Sequence, residues 1–161
     1  MIEKELNLKG INSVLFVCMG NICRSPSAEV VLRHKAMAQG LSLNIDSAGT
    51  VGAHSKEKPD HRAQKVGAER GYSFDGLKAR KVTAADFDNF DLILAMDNDN
   101  VEALNKIAPV NLQYKISLFL EFAKNHEETE VPDPYFGGTN GFRFVLDLVE
   151  DASDGLLAHF K

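Results

Sequence analysis

A cysteine and an arginine with five residues between them, and a distant aspartate set between two prolines, are the residues here whose types suit phosphate chemistry. The first pair lies in "CMGNICRS", Cys18 to Ser25. A phosphate held by this stretch would meet the backbone N–H groups of a tight turn and the positive end of a following helix. Arg24 adds a planar fork able to hold two phosphate oxygens at once. The same positive setting favours the thiolate form of a cysteine, which is the nucleophilic form, so Cys18 is the candidate nucleophile. Gly20 permits close backbone approach, Asn21 tolerates positive φ, and Ser25 can donate a hydrogen bond to the Cys18 sulfur.

A small apolar residue ending a strand, with an arginine nearby by chance, would give the same Cys-x5-Arg spacing. The strand before, the helix after, the glycine and the Ser-Pro helix start argue against that coincidence. A nucleotide P-loop is disfavoured because no Gly-Lys-Ser or Gly-Lys-Thr ending follows. Cys23 lacks Cys-x-x-Cys spacing. It reads either as a packed small side chain at the helix entrance or as a redox partner that captures oxidised Cys18 as a disulfide.

Cleaving a phosphate ester also needs an acid for the leaving oxygen. Asp46, Asp97, Asp99, Asp133 and the acids near Glu127 all fall on loops. Asp97 follows "LILAM" at a strand end, but it reads better as an N-cap for the helix carrying Val101. Asp133 lies in "VPDPYFGG", Val131 to Gly138. Prolines on both sides stiffen the backbone, and the glycine pair lets the chain turn away. Such a loop suits an acid over a flat substrate, and equally an ordinary proline-rich surface turn. The five histidines show no metal-ligand spacing, and surface or capping roles suit each of them.

Elements must hold these residues in place. "SVLFVC" (Ser13 to Cys18) is the apolar run of a buried parallel strand. Ser25 as N-cap and Pro26 at the first helical position start a helix ended by Gly40. "LNIDSAGT" (Leu43 to Thr50) predicts a second strand, and Asp60 a cap for a helix running to about Arg70. "DLILAM" (Asp91 to Met96) predicts a third strand followed by a helix, and "LQYKI" (Leu112 to Ile116) a fourth strand. A last helix spans roughly Asn140 to Phe160, with Phe142, Val145, Leu146, Val149, Ala152 and Leu156 on one face. Alternating strands and helices imply a parallel sheet covered on both sides, with ligands beyond the strands' carboxyl ends.

At 161 residues the chain reads as one domain, residues 1–161, with 1–12 an N-terminal extension expected to be flexible. A net charge of -5 disfavours nucleic-acid binding. "MIEKELNLKG" lacks the apolar core of a signal peptide, and no apolar run approaches a membrane span. Two cysteines four residues apart cannot frame a fold with disulfides, so the expectation is a reduced, cytoplasmic protein with no membrane partner.

"VCMGNICRSP", "DSAGT", "FDLILAMD" and "VPDPYFGG", in this order and before a C-terminal helix, resemble the low-molecular-weight protein tyrosine phosphatases over nearly the whole chain. The resemblance implies a three-layer α/β fold, with a four-stranded parallel sheet, helices on both faces and a phosphate-binding loop after the first strand. It implies Cys18 as nucleophile through a phosphocysteine, Arg24 as binder of the phosphate and its transition state, and Asp133 as general acid and then base. Backbone amides of Met19, Gly20, Asn21, Ile22, Cys23 and Arg24 would hold the phosphate, with Asn21 and Ser25 shaping the loop and Ser47 supporting Asn21. Tyr135 would wall the substrate cleft, with Phe136 in a position often held by tyrosine. The resemblance implies neither metal nor cofactor. It implies phosphotyrosine proteins as substrates and a cognate tyrosine kinase as partner.

Many members carry a large aromatic shortly after "SAGT". Here Ala53 stands there, so that wall of the cleft is lower unless His54 substitutes. Three other functions compete. Arsenate reduction needs further relay cysteines, and none follows Cys23. Relatives that hydrolyse phosphoarginine tend to carry threonine where this chain has Ile22. A silent phosphopeptide-binding module would lack the nucleophile or the acid.

Overall fold

The structure is a computed structural model describing Leu8 and residues 10–160. Most of the predicted N-terminal extension lies outside the described residues, while Leu8 and Ile11 pack against the core.

Four strands form one parallel sheet: β1 (Ser13–Cys18), β2 (Asn44–Gly49), β3 (Leu92–Ala95) and β4 (Ile116–Leu118), in the order β2-β1-β3-β4. β1 pairs with β2 from Ser13 opposite Asn44 to Cys18 opposite Gly49, and with β3 from Val14 opposite Leu92 to Val17 opposite Ala95. The period-two alternation of β1 divides its side chains between two cores. Val14, Phe16 and Cys18 enter the cluster that includes Val31 and Leu32 of α1 (Arg24–Ala38) and Val145 and Val149 of α5 (Thr139–Leu157). Leu15 and Val17 enter the opposite cluster, with Phe87 of α3 (Asp86–Asn89) and Leu104 of α4 (Asn98–Ile107). β1 is therefore covered on both faces and flanked on both edges, which explains its unbroken apolar run. Helix α2 (His61–Glu69) sends Ala63 and Val66 into the first cluster. The three-layer α/β expectation holds.

Three local expectations are corrected. Ser25 is not the N-cap: α1 begins at Arg24, Cys23 takes the cap position without a side-chain hydrogen bond, and the Ser25 hydroxyl is engaged elsewhere. The predicted fourth strand is shifted. Val110–Lys115 winds as a 3-10 helix, and the strand follows at Ile116–Leu118. The alternation in "LQYKI" is deceptive because Lys115 turns inward, donating from Nζ to the Phe87 carbonyl at 2.7 Å. The last helix ends at Leu157, with Ala158–Phe160 as a 3-10 turn. The short helix α3 and the 3-10 segment Phe119–Phe122 carry no sequence pattern long enough to read.

The connection that matters for the site lies between β1 and β3. The chain leaves β1 toward β2 on one side and reaches β3 on the other, so the loops after β1 and β3 diverge and leave a crevice at the sheet's carboxyl edge. Cys18 is the last residue of β1 and Arg24 the first of α1, so the loop between them opens onto that crevice.

Candidate active site

The loop from Cys18 to Arg24 is held in a conformation that its own sequence favours. Asn21 adopts φ 59°, the left-handed region that asparagine tolerates better than most residues. Its side chain fixes the bend from three directions. Nδ2 donates to Ser25 Oγ at 2.8 Å and to Ser47 Oγ at 3.0 Å, while Oδ1 accepts the Arg80 N–H at 3.0 Å. Ser47 Oγ in turn donates to Glu29 Oε1 at 2.7 Å, a buried carboxylate on α1. β2 comes close enough behind the loop that a Cβ on Gly49 would sit 2.7 Å from the Met19 carbonyl oxygen. Only a residue without a side chain lets β2 and the loop meet there.

Within this frame the Cys18 sulfur is surrounded by donors. The Asn21 N–H donates to Sγ at 3.2 Å, and Ser25 Oγ lies 3.0 Å away. Arg24 is buried, and its Nη1 donates to Asp97 Oδ2 at 2.6 Å and to the Val131 carbonyl at 3.1 Å. Its other terminal nitrogen, Nη2, lies 3.7 Å from Asp133 Oδ2. Burial works against the Arg24 charge, but Cys18, Asp97 and Asp133 together raise its pKa above the ordinary arginine value. The guanidinium is thus a fixed cation at the cleft floor.

Cys23 has a different setting. Burial pushes its thiol far up, and Asp60, Cys18 and Asp133 add to the shift. Cys23 therefore stays protonated at neutral pH. Both cysteines are free thiols.

The structure brings Cys18, Met19, Gly20, Ile22, Cys23, Arg24, Asp133 and Tyr135 to one cleft, which Val51, Ala53 and His54 complete. Asn21, Ser25 and Ser47 support the loop from behind. Asp133 accepts the Tyr135 N–H through Oδ1 at 3.0 Å, which aims the carboxylate at the cleft mouth. His54 is a partly exposed residue of the cleft rim. Its ring lies over Gly20 and faces Tyr135 with centroids 6.2 Å apart, and Nδ1 is hydrogen-bonded to Glu57. The place opposite Tyr135, which Ala53 leaves low, is filled by His54.

Sequence reasoning missed the second role of Asp97. It is the N-cap of α4, as expected, with a capping box to Asn100. Its other oxygen is the partner of Arg24, and its place directly after β3 at the sheet's carboxyl edge was the available signal. The carbonyl of Val131 had no signal at all.

The family described as low molecular weight phosphotyrosine protein phosphatase matches residues 13–161. The chain belongs to that family. A putative low molecular weight protein-tyrosine-phosphatase of Synechocystis, slr0328, is 43% identical over 147 residues, covering 89% of this chain and 93% of that protein. YfkJ of Bacillus subtilis is 40% identical over 151 residues, covering 92% and 96%. Its crystal structure superimposes with a TM-score of 0.87, covering 94% of this chain and 95% of that one. A protein tyrosine phosphatase from Entamoeba histolytica, with Hepes in its active site, gives a TM-score of 0.90 at 44% identity, covering 92% and 96%. As a member of this family the chain is a phosphatase, with its catalytic loop after the first strand.

Proposed function

We propose that the protein hydrolyses phosphotyrosine in proteins, and simple aryl phosphates, through a phosphocysteine on Cys18. The observation that carries this reading is the single cleft in which a donor-ringed thiol, a buried arginine and an aspartate converge. In the first step the Cys18 thiolate attacks phosphorus and the bond from phosphorus to the tyrosine oxygen breaks. Asp133 gives its proton to that oxygen, so a neutral phenol departs. The loop N–H groups and Arg24 hold the three equatorial oxygens, where charge spreads in the transition state. In the second step Asp133, now a carboxylate, takes a proton from water as the water attacks phosphorus. The sulfur–phosphorus bond breaks and inorganic phosphate leaves. Ser25, hydrogen-bonded to Sγ, stabilises the departing thiolate.

Tyr135 and His54 on either side suit a flat ring. The buried apolar side chain of Ile22 at the cleft gives an arginine phosphate no hydroxyl to orient water. We further read residues 13–160 as one catalytic domain, because both cores share one sheet. Among the described residues no helix is long and apolar enough to cross a membrane. Together with two free thiols this supports a reducing, cytoplasmic setting, where a tyrosine kinase would supply the substrates.

The test is hydrolysis of p-nitrophenyl phosphate and of phosphotyrosine and phosphoarginine peptides. Cys18→Ser should abolish turnover, and Asp133→Asn should lower it by about 10²–10⁴-fold while sparing binding. Full activity in the serine variant would sink the mechanism. A preference for phosphoarginine would move the substrate class.

A further inference from the structure

One arginine outside the reacting groups links the phosphate loop to the loop that carries the acid. Arg62 stands in the first turn of α2, where Asp60 caps the helix by accepting the Arg62 N–H. The Asp60 N–H donates at 2.7 Å to the carbonyl of Ile22, inside the phosphate loop. The Arg62 guanidinium then faces two ways. Toward Asp60, Nε and Nη2 each donate at 3.1 Å, one to each carboxylate oxygen. Toward the acid loop, Nη2 donates to the Tyr135 carbonyl at 2.8 Å and Nη1 to the Gly137 carbonyl at 3.1 Å. Its carbon lies 5.6 Å from the centre of the Tyr135 ring and 4.6 Å from that of Phe142 on α5. Tyr135 is also the residue whose N–H holds the Asp133 carboxylate.

We propose that Arg62 is a positioning residue for the general acid, a fork that fixes the Asp133 loop against the phosphate loop through Asp60. The inference rests on the phosphatase reading above. The three donors of a lysine radiate from one nitrogen, whereas the acceptors here are reached from Nε, Nη1 and Nη2 on two sides of the guanidinium, so the site needs the planar fork. Phe136, at the tip of the same loop, is 93% exposed, so the loop has few packing contacts of its own to fix it. Displacing an acid by a fraction of its hydrogen-bond length costs rate only where the leaving group needs the proton.

The experiment measures kcat/KM for a series of aryl phosphates from phenyl phosphate to 2,4-dinitrophenyl phosphate, whose leaving group departs without protonation. Arg62→Met keeps an apolar stem against the two rings and removes every donor. It should lose about tenfold or more on phenyl phosphate and less than about threefold on the dinitrophenyl ester. Arg62→Lys should show the same steepened dependence. In an Asp133→Asn background Arg62→Met should cost nothing further, because the two residues act through one group. A uniform loss across the series, a parental slope in either variant, or full additivity with Asp133→Asn would overturn the proposal. A parent protein inactive on every ester would instead overturn the phosphatase reading, and this inference with it.

Discussion

At the scale of single residues, the division of labour in the cleft follows from what surrounds each side chain. Two cysteines five positions apart differ in their partners: the Asn21 N–H and the Ser25 hydroxyl reach the Cys18 sulfur, while burial and the nearby Asp60 hold Cys23 as a neutral thiol. His54 illustrates a substitution in shape rather than in type. Its ring meets Tyr135 at the cleft mouth, centroids 6.2 Å apart and tilted by 47°, so the two rings together offer an apolar wall to an aromatic leaving group. Ring contacts of this kind are worth about 0.5–1.5 kcal/mol, roughly two- to tenfold in binding. We expect His54→Ala to raise KM for p-nitrophenyl phosphate by that factor with kcat nearly unchanged. An unchanged KM would show that the ring does not touch substrate. Cys18, Arg24 and Asp133 could be nominated from the sequence because phosphate chemistry restricts the residue type, and the structure brings the three to one cleft. The partners of Arg24 and Arg62 could not, since a backbone carbonyl accepts a hydrogen bond whatever residue carries it.

At the scale of elements, strands buried on both faces announced themselves and short segments did not. β1 and β3 are runs of apolar residues with no exposed member, and the sequence placed them within a residue or two. β4 has three residues, too few for alternation to fix, and its neighbour's inward lysine imitated a strand. Close packing between elements is equally silent in a sequence. A Cβ on Gly155 of α5 would fall 1.8 Å from the Phe122 carbonyl oxygen, so the helix and the 3-10 segment touch backbone to backbone. Gly155→Ala must push the two apart. Overpacking of this kind costs about 1–3 kcal/mol, equivalent to roughly 2–12 °C in Tm for a chain of this size. Thermal melting checks it, and an unchanged Tm would mean that α5 shifts without cost.

At the scale of the whole molecule, the carboxylates that tie segments together set the acid limit of the fold. Burial opposes ionisation of Asp60 and Asp151, yet hydrogen bonds from Arg62 to the first, and from His126, Lys124 and Asn125 to the second, hold both below the usual carboxylate range. The unfolded chain therefore takes up these protons at higher pH than the folded one. Their contribution is full above the ordinary carboxyl pKa and is lost as pH falls through the lower folded values. Melting followed downward from pH 7 should show stability declining below about pH 4. Asp151→Asn should lower stability at pH 7 by about 1–3 kcal/mol and flatten that decline. A variant that keeps the parent's steepness would assign the acid limit to other groups.

The placement of nucleophile and acid on different kinds of backbone has a consequence for how the protein opens. The thiol ends a strand at the centre of the sheet and is tied through Asn21, Ser47 and Glu29 to the first helix, so freeing it means separating β1, β2 and α1. Asp133 stands on a turn with an exposed tip, which Arg62 ties at Tyr135 and Gly137 and Arg24 ties at Val131. Amide exchange should therefore place the loop after Cys18 in a slow-opening unit of the protein and the turn carrying Asp133 in a faster one.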